Sequence, residues 1–118
     1  MIKNKLREIR KLDYLISLKK LEIEKLDEYD KSNNDIIQQY TIEMNLAISD
    51  LLKKKLYIQS LIDQLSNPDM IDILYRRYFY HQKWETIAYE KHYTYQGLHK
   101  IHAKALIELE NLISVDKS

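Results

Sequence analysis

Tyr95, Gln96, His99 and Lys100 are polar side chains of long reach set at helical spacing. They lie on a stretch whose apolar residues Leu98, Ile101, Ala105 and Leu109 repeat at three and four residues, so that they fall on the sides the apolar stripe leaves open. A glutamine amide donates and accepts along one planar edge and matches the paired donor and acceptor of adenine, and a lysine ammonium donates to the guanine acceptors. These four residues are candidate base contacts. Around them stand Arg76, Arg77, Lys83, Lys91, His92 and Lys104, whose chemistry suits phosphate oxygens, contacts that fix register without reading sequence. Four histidines (His81, His92, His99 and His102) invite comparison with a metal site, but no carboxylate is placed with the His99/His102 pair, and no metal or cofactor is expected. With no glycine-rich phosphate loop and no pairing of nucleophile and base, the chain does not read as an enzyme.

The elements that must position these groups are helices. Ile87 and Ala88 give the stretch opening at Trp84 its buried side, and Thr94 can cap the next helix by accepting from an amide of its first turn. A turn of about three or four residues near Lys91 to Tyr93 then joins two short helices. Upstream, Ser66-Asn67-Pro68-Asp69 is the clearest boundary, with Pro68 suited to a first helical turn and Asn67 or Ser66 to its cap. The helix it starts carries Met70, Ile73, Leu74 and Tyr78 on one side and ends near Tyr80 to Gln82. Residues 67–118 therefore read as a three-helix helix-turn-helix domain, with Trp84 anchoring the core and His102 at its edge in a structural hydrogen bond.

Residues 1–66 read as a long antiparallel helical hairpin of coiled-coil type. Leu6, Ile9, Leu12, Ile16, Ile23 and Leu26 mark a first helix to about residue 30, and Lys31-Ser32-Asn33-Asn34-Asp35 interrupts it with residues that favour turns and caps. In the second helix Met44, Ile48, Leu51, Ile58, Ile62 and Leu65 follow steps of three and four, broken at Lys55. So thin a hairpin leaves apolar surface wet, and Met44, Ile48, Leu51, Ile58 and Ile62 are the expected interface with a second copy or another protein.

The bulk composition agrees with an all-α fold: one glycine and one proline in 118 residues leave little turn chemistry for hairpins of strands. Without cysteine there is no disulfide framework, and the opening Met-Ile-Lys-Asn-Lys meets no long apolar run, so neither a signal peptide nor a membrane span is expected and a cytoplasmic setting is. The formal net charge is only +1, and from Pro68 onward bases and acids are equal in number. Binding of nucleic acid must then come from a local patch, with a dimer or a partner reinforcing it.

The C-terminal segment resembles region 4 of sigma-70 factors and, more closely, small phage late-transcription regulators of the RinA and ArpU type. The resemblance rests on Arg77-Tyr78-Phe79, Lys83-Trp84-Glu85-Thr86-Ile87-Ala88, Tyr93-Thr94-Tyr95-Gln96-Gly97-Leu98 and Ile101-His102-Ala103-Lys104-Ala105-Leu106. It covers roughly residues 68–112, and the N-terminal half matches only in length and helical pattern. What it implies is a phage or prophage regulator that binds double-stranded DNA and switches on late genes in the host bacterial cytoplasm, in contact with host RNA polymerase. The homodimer is expected from the apolar stripe of the hairpin and the small charge of a single copy. Gly97 departs from the basic or polar residue often found there. A near-neutral domain also fits an alternative, an interaction module or inhibitor that binds another regulator.

Overall fold

A computed structural model of the chain describes residues 1–29, 32 and 34–116. Every regular element among them is helical: α1 (Ile2–Lys25), α2 (Asn34–Ile62), α3 (Pro68–Leu74), α4 (Trp84–Lys91) and α5 (Tyr95–Asp116). The first helix stops short of residue 30, and a 3₁₀ turn, Leu26–Glu28, follows it. Residue 30, two residues of the polar run that follows it (31 and 33), where a turn is expected, and the end of the C-terminal tail lie outside the described residues.

Local chemistry sets the helix starts. Pro68 opens α3, and the Asn67 side chain accepts from the amide of Asp69 at 2.8 Å. Asn67→Ala should lower stability by about 1 kcal/mol in a denaturant titration, since that amide has no helical partner. The Thr94 hydroxyl accepts from the Gly97 amide at 3.0 Å and caps α5 as expected. A β-carbon at Gly97 would stand 3.0 Å from the capping oxygen, a close contact that the Thr94 hydroxyl would have to relieve by a few tenths of an ångström.

α3 does not simply run on to residue 80. Tyr75–Phe79 widens into a π-turn, closed by the Tyr80 amide donating to the Tyr75 carbonyl at 2.9 Å. It carries Tyr78 and Phe79 into the interior with Leu74 and leaves Arg76 and Arg77 half-buried.

Packing groups the chain differently from a division at residue 66. One compact unit comprises residues 1–10 and 57–118, the other Lys11–Leu56. In the first, Ile2, Leu6 and Ile9 of α1 and Ile58, Leu61 and Ile62 of α2 share a core with Leu74, Tyr78, Phe79, Ala105, Leu109 and Ile113. A smaller cluster, Ile73, Ile87 and Leu98, joins α3, α4 and α5, with Trp84, Ala88, Tyr93 and Ile101 around it. Ile58 and Ile62, expected at an interface between copies, are thus buried within the chain, at 5% and 0% exposure. Packing against α1 and α5 has taken the face that periodicity marks only as apolar.

In the second unit Ile48 is buried, Met44 and Leu51 are half-buried, Lys55 pairs with Asp13 at 2.5 Å, and the Tyr40 hydroxyl donates to Glu22 at 3.3 Å. Exposed apolar residues fall elsewhere on the helices, at Tyr14, Leu18 and Leu21 of α1 and Ile36, Ile42, Leu46, Leu52 and Leu56 of α2.

Candidate nucleic-acid interface

Three residues separate α4 from α5, and the first of them, His92, takes a left-handed conformation at φ 58°. The Tyr93 amide donates to the Ala88 carbonyl at 3.0 Å and closes the end of α4. With Ile87 and Leu98 both fully buried against Ile73, the pairing of α4 with α5 is fixed on its inner side. The outer side of the first two turns of α5 then carries Tyr95, Gln96 and Lys100 exposed to solvent and His99 half-buried. Tyr95 and His99 meet edge to face with centroids 4.4 Å apart, and His99 also lies 5.1 Å from the Trp84 ring. Lys104 extends this exposed row by one turn.

The six expected phosphate contacts fall into three sets. Arg76 donates to Asp72 and forms a close ion pair with Glu90, while Lys91 donates to Asp69 at 3.0 Å and to Asp72 at 2.6 Å. Tyr93 adds its hydroxyl to Asp69 at 2.9 Å. Hydrogen bonds from Lys91 and Tyr93 hold the Asp69 carboxyl below its ordinary value; burial works to raise Asp72, but Lys91 and Arg76 outweigh it and hold that group low too. Arg76 and Lys91 are consequently part of an internal network that ties α3 to α4, and their charge is already matched. Lys83, His92 and Lys104 are exposed.

Arg77 stands apart. It donates to the Gln82 carbonyl at 3.0 Å, and its guanidinium carbon sits 4.8 Å from the centre of the Trp84 ring. Behind it the Tyr78 hydroxyl and the His102 Nε2 are 2.8 Å apart, and either neutral tautomer keeps the bond because a hydroxyl both donates and accepts. Burial, then the nearby charges of Lys3, His99 and Arg77, push the His102 imidazole down to about 4. His102 is therefore a neutral structural group, and Trp84 a partly buried anchor, as the sequence suggests.

No family model, curated protein or solved structure matches the chain.

Beside Arg77 lies an open groove of about 540 Å³, lined by Arg7, Arg10, Arg77, His81 and Lys83 over Leu6 and Tyr78. A smaller recess of about 170 Å³ shares Arg7, Arg77 and Tyr78 with it and is lined also by Lys3, Trp84, His99 and His102. Of the lysines and arginines here, Arg77 and Lys83 are marked by the sequence as phosphate contacts, and Lys3, Arg7 and Arg10 are not. The available signal was their spacing of four and three, which puts them on one side of α1.

Proposed function

We propose that the chain is a DNA-binding transcription regulator in which α4 and α5 form a helix-turn-helix and α5 is the recognition helix. The observation that carries this is the first two turns of α5. Their inner side is held by Ile73, Ile87 and Leu98, and their outer side presents Tyr95, Gln96, His99 and Lys100 beside the cationic groove. A recognition helix meets base edges with these N-terminal turns. Arg77, Lys83, His92 and Lys104 serve as phosphate contacts, without Arg76 and Lys91.

The antiparallel hairpin expected of residues 1–66 is supported, within Lys11–Leu56, by the pairing of Asp13 with Lys55 and Glu22 with Tyr40, residues whose numbers run in opposite senses. The hairpin carries a second copy of the chain or host RNA polymerase. Ile36, Ile42, Leu46, Leu52 and Leu56 are exposed apolar residues of α2 available for that contact, taking the place of the buried Ile48, Ile58 and Ile62. The same exposed residues favour a second reading, an interaction module that engages another regulator. The late-gene role, the phage setting and the host cytoplasm follow from the sequence resemblance.

The test is selection of duplexes from a random pool by the full chain, followed by titration of the selected site. Gln96→Ala should weaken binding about tenfold and relax preference at one or two base pairs, while the salt dependence stays as it was. A Gln96→Ala protein with unchanged affinity and preference would remove α5 as the reader.

A further inference from the structure

We infer that the N-terminal turns of α1 complete a phosphodiester-binding groove, in which Lys3, Arg7 and Arg10 hold the DNA backbone alongside Arg77 and Lys83. The inference rests on the reading of α5 as the recognition helix and extends its footprint to a part of the chain that no helix-turn-helix requires.

Four observations meet at this groove. Its walls come from opposite ends of the sequence, held together because Ile2, Leu6 and Ile9 are buried in the same core as Tyr78 and Leu109, so Lys3, Arg7 and Arg10 are carried on a fixed scaffold. The Ile2 amide also donates to Glu110 at 2.7 Å, which pins the first turn of α1 to α5. Secondly, among the described residues no carboxylate lies within ion-pair distance of Lys3, Arg7, Arg10, Arg77 or Lys83. Three acids close in sequence to Arg77 and Lys83, namely Asp69, Asp72 and Glu90, are engaged with Arg76 and Lys91, so a nearly neutral protein keeps a positive groove. Like charges gathered without counterions raise the local potential and favour a polyanion.

Thirdly, the π-turn at Tyr75–Phe79 aims Arg77 into the groove, and the Trp84 face beneath its guanidinium holds that orientation. Fourthly, His99 belongs both to the inner recess and to the exposed row of α5. A backbone leaving the bases at Gln96 and Lys100 therefore meets the groove next. The form of the site also suits an extended chain of phosphates: it is open, long enough to be lined by residues from Lys3 to Arg10, and without the enclosure a small anion would need.

The experiment compares the full chain with Arg7→Gln/Arg10→Gln on the selected duplex across a series of potassium chloride concentrations. Each lost phosphate contact lowers the slope of log affinity against log salt by about 0.9, so the double variant should show a slope shallower by about 2 and an affinity roughly tenfold lower on every duplex, selected or not. Arg7→Lys/Arg10→Lys should keep the wild-type slope, and Arg76→Gln, whose guanidinium is internally paired, should leave it unchanged. Both arginines are exposed, and matching melting curves establish that the double variant is folded. Wild-type binding with the same slope in Arg7→Gln/Arg10→Gln would overturn the groove and leave the α5 reading intact. Failure of the wild-type chain to prefer any duplex would overturn both.

Discussion

Ile62→Ala is expected to lower the unfolding free energy by about 2–5 kcal/mol and leave any self-association of the surviving folded protein unaltered. Ile62 is fully buried, in one cluster with Ile2, Leu6 and Ile9 of α1 and Leu109 of α5. Removing its outer carbons takes away their transfer free energy and opens a void whose walls are helices fixed by other contacts, so the site cannot collapse around alanine. For a domain of this size such a loss is a large share of the total. Because the same core places Lys3, Arg7 and Arg10, partial unfolding there should also reduce DNA affinity. Urea titration followed by circular dichroism, with sedimentation of the folded fraction, checks the result. A stable Ile62→Ala protein that changes only its oligomeric state would return Ile62 to an interface between copies.

Acid should destabilise the chain through His102 at a pH well above the one at which Asp69 and Asp72 lose their charge. His102 falls from 6.5 in the unfolded chain to about 4 in the fold, chiefly through burial. Protonation therefore favours the unfolded state. The contribution is fully present above pH 6.5 and is lost as the pH falls from 6.5 to 4, a difference of roughly 3 kcal/mol at 1.36 kcal/mol for each tenfold change in proton affinity. Asp69 and Asp72 act in a separate window, because carboxyls held below 3.8 lose their contribution only as the pH falls past that value. Urea midpoints measured from pH 7 to pH 4.5 should fall for the wild type and stay nearly level for His102→Gln, whose amide can still bond the Tyr78 hydroxyl. An equally steep fall in His102→Gln would assign the pH dependence to another group.

Both expectations concern residues the sequence marks, and they show how far the marking reaches. Ile62 stands in an apolar series with Ile58, and periodicity says that this face is buried without saying against what. A second copy and the first turns of α1 are equivalent to the pattern, and packing with Ile2, Leu6 and Ile9 distinguishes them. His102 was legible as a structural group because it follows Leu98 by one turn, which places it at the edge of the core. Its partner, Tyr78, is 24 residues away and has no local signal.

By itself the sequence determined what depends on neighbours in the chain. The all-helical class, the start of α3 at Pro68 with its Asn67 cap, the Thr94 cap of α5 and the outward placement of Tyr95, Gln96 and Lys100 all follow from spacings of one to four residues. The tertiary structure alone decided which apolar faces cover one another and which charges are left over. It buried Ile58 and Ile62, used Arg76 and Lys91 against Asp72, Glu90 and Asp69, and set Arg7 and Arg10 across from Arg77. Formal charge and hydropathy are properties of single residues, whereas burial and ion pairing belong to pairs brought together across the chain, so a count of bases equal to acids hid a cationic groove.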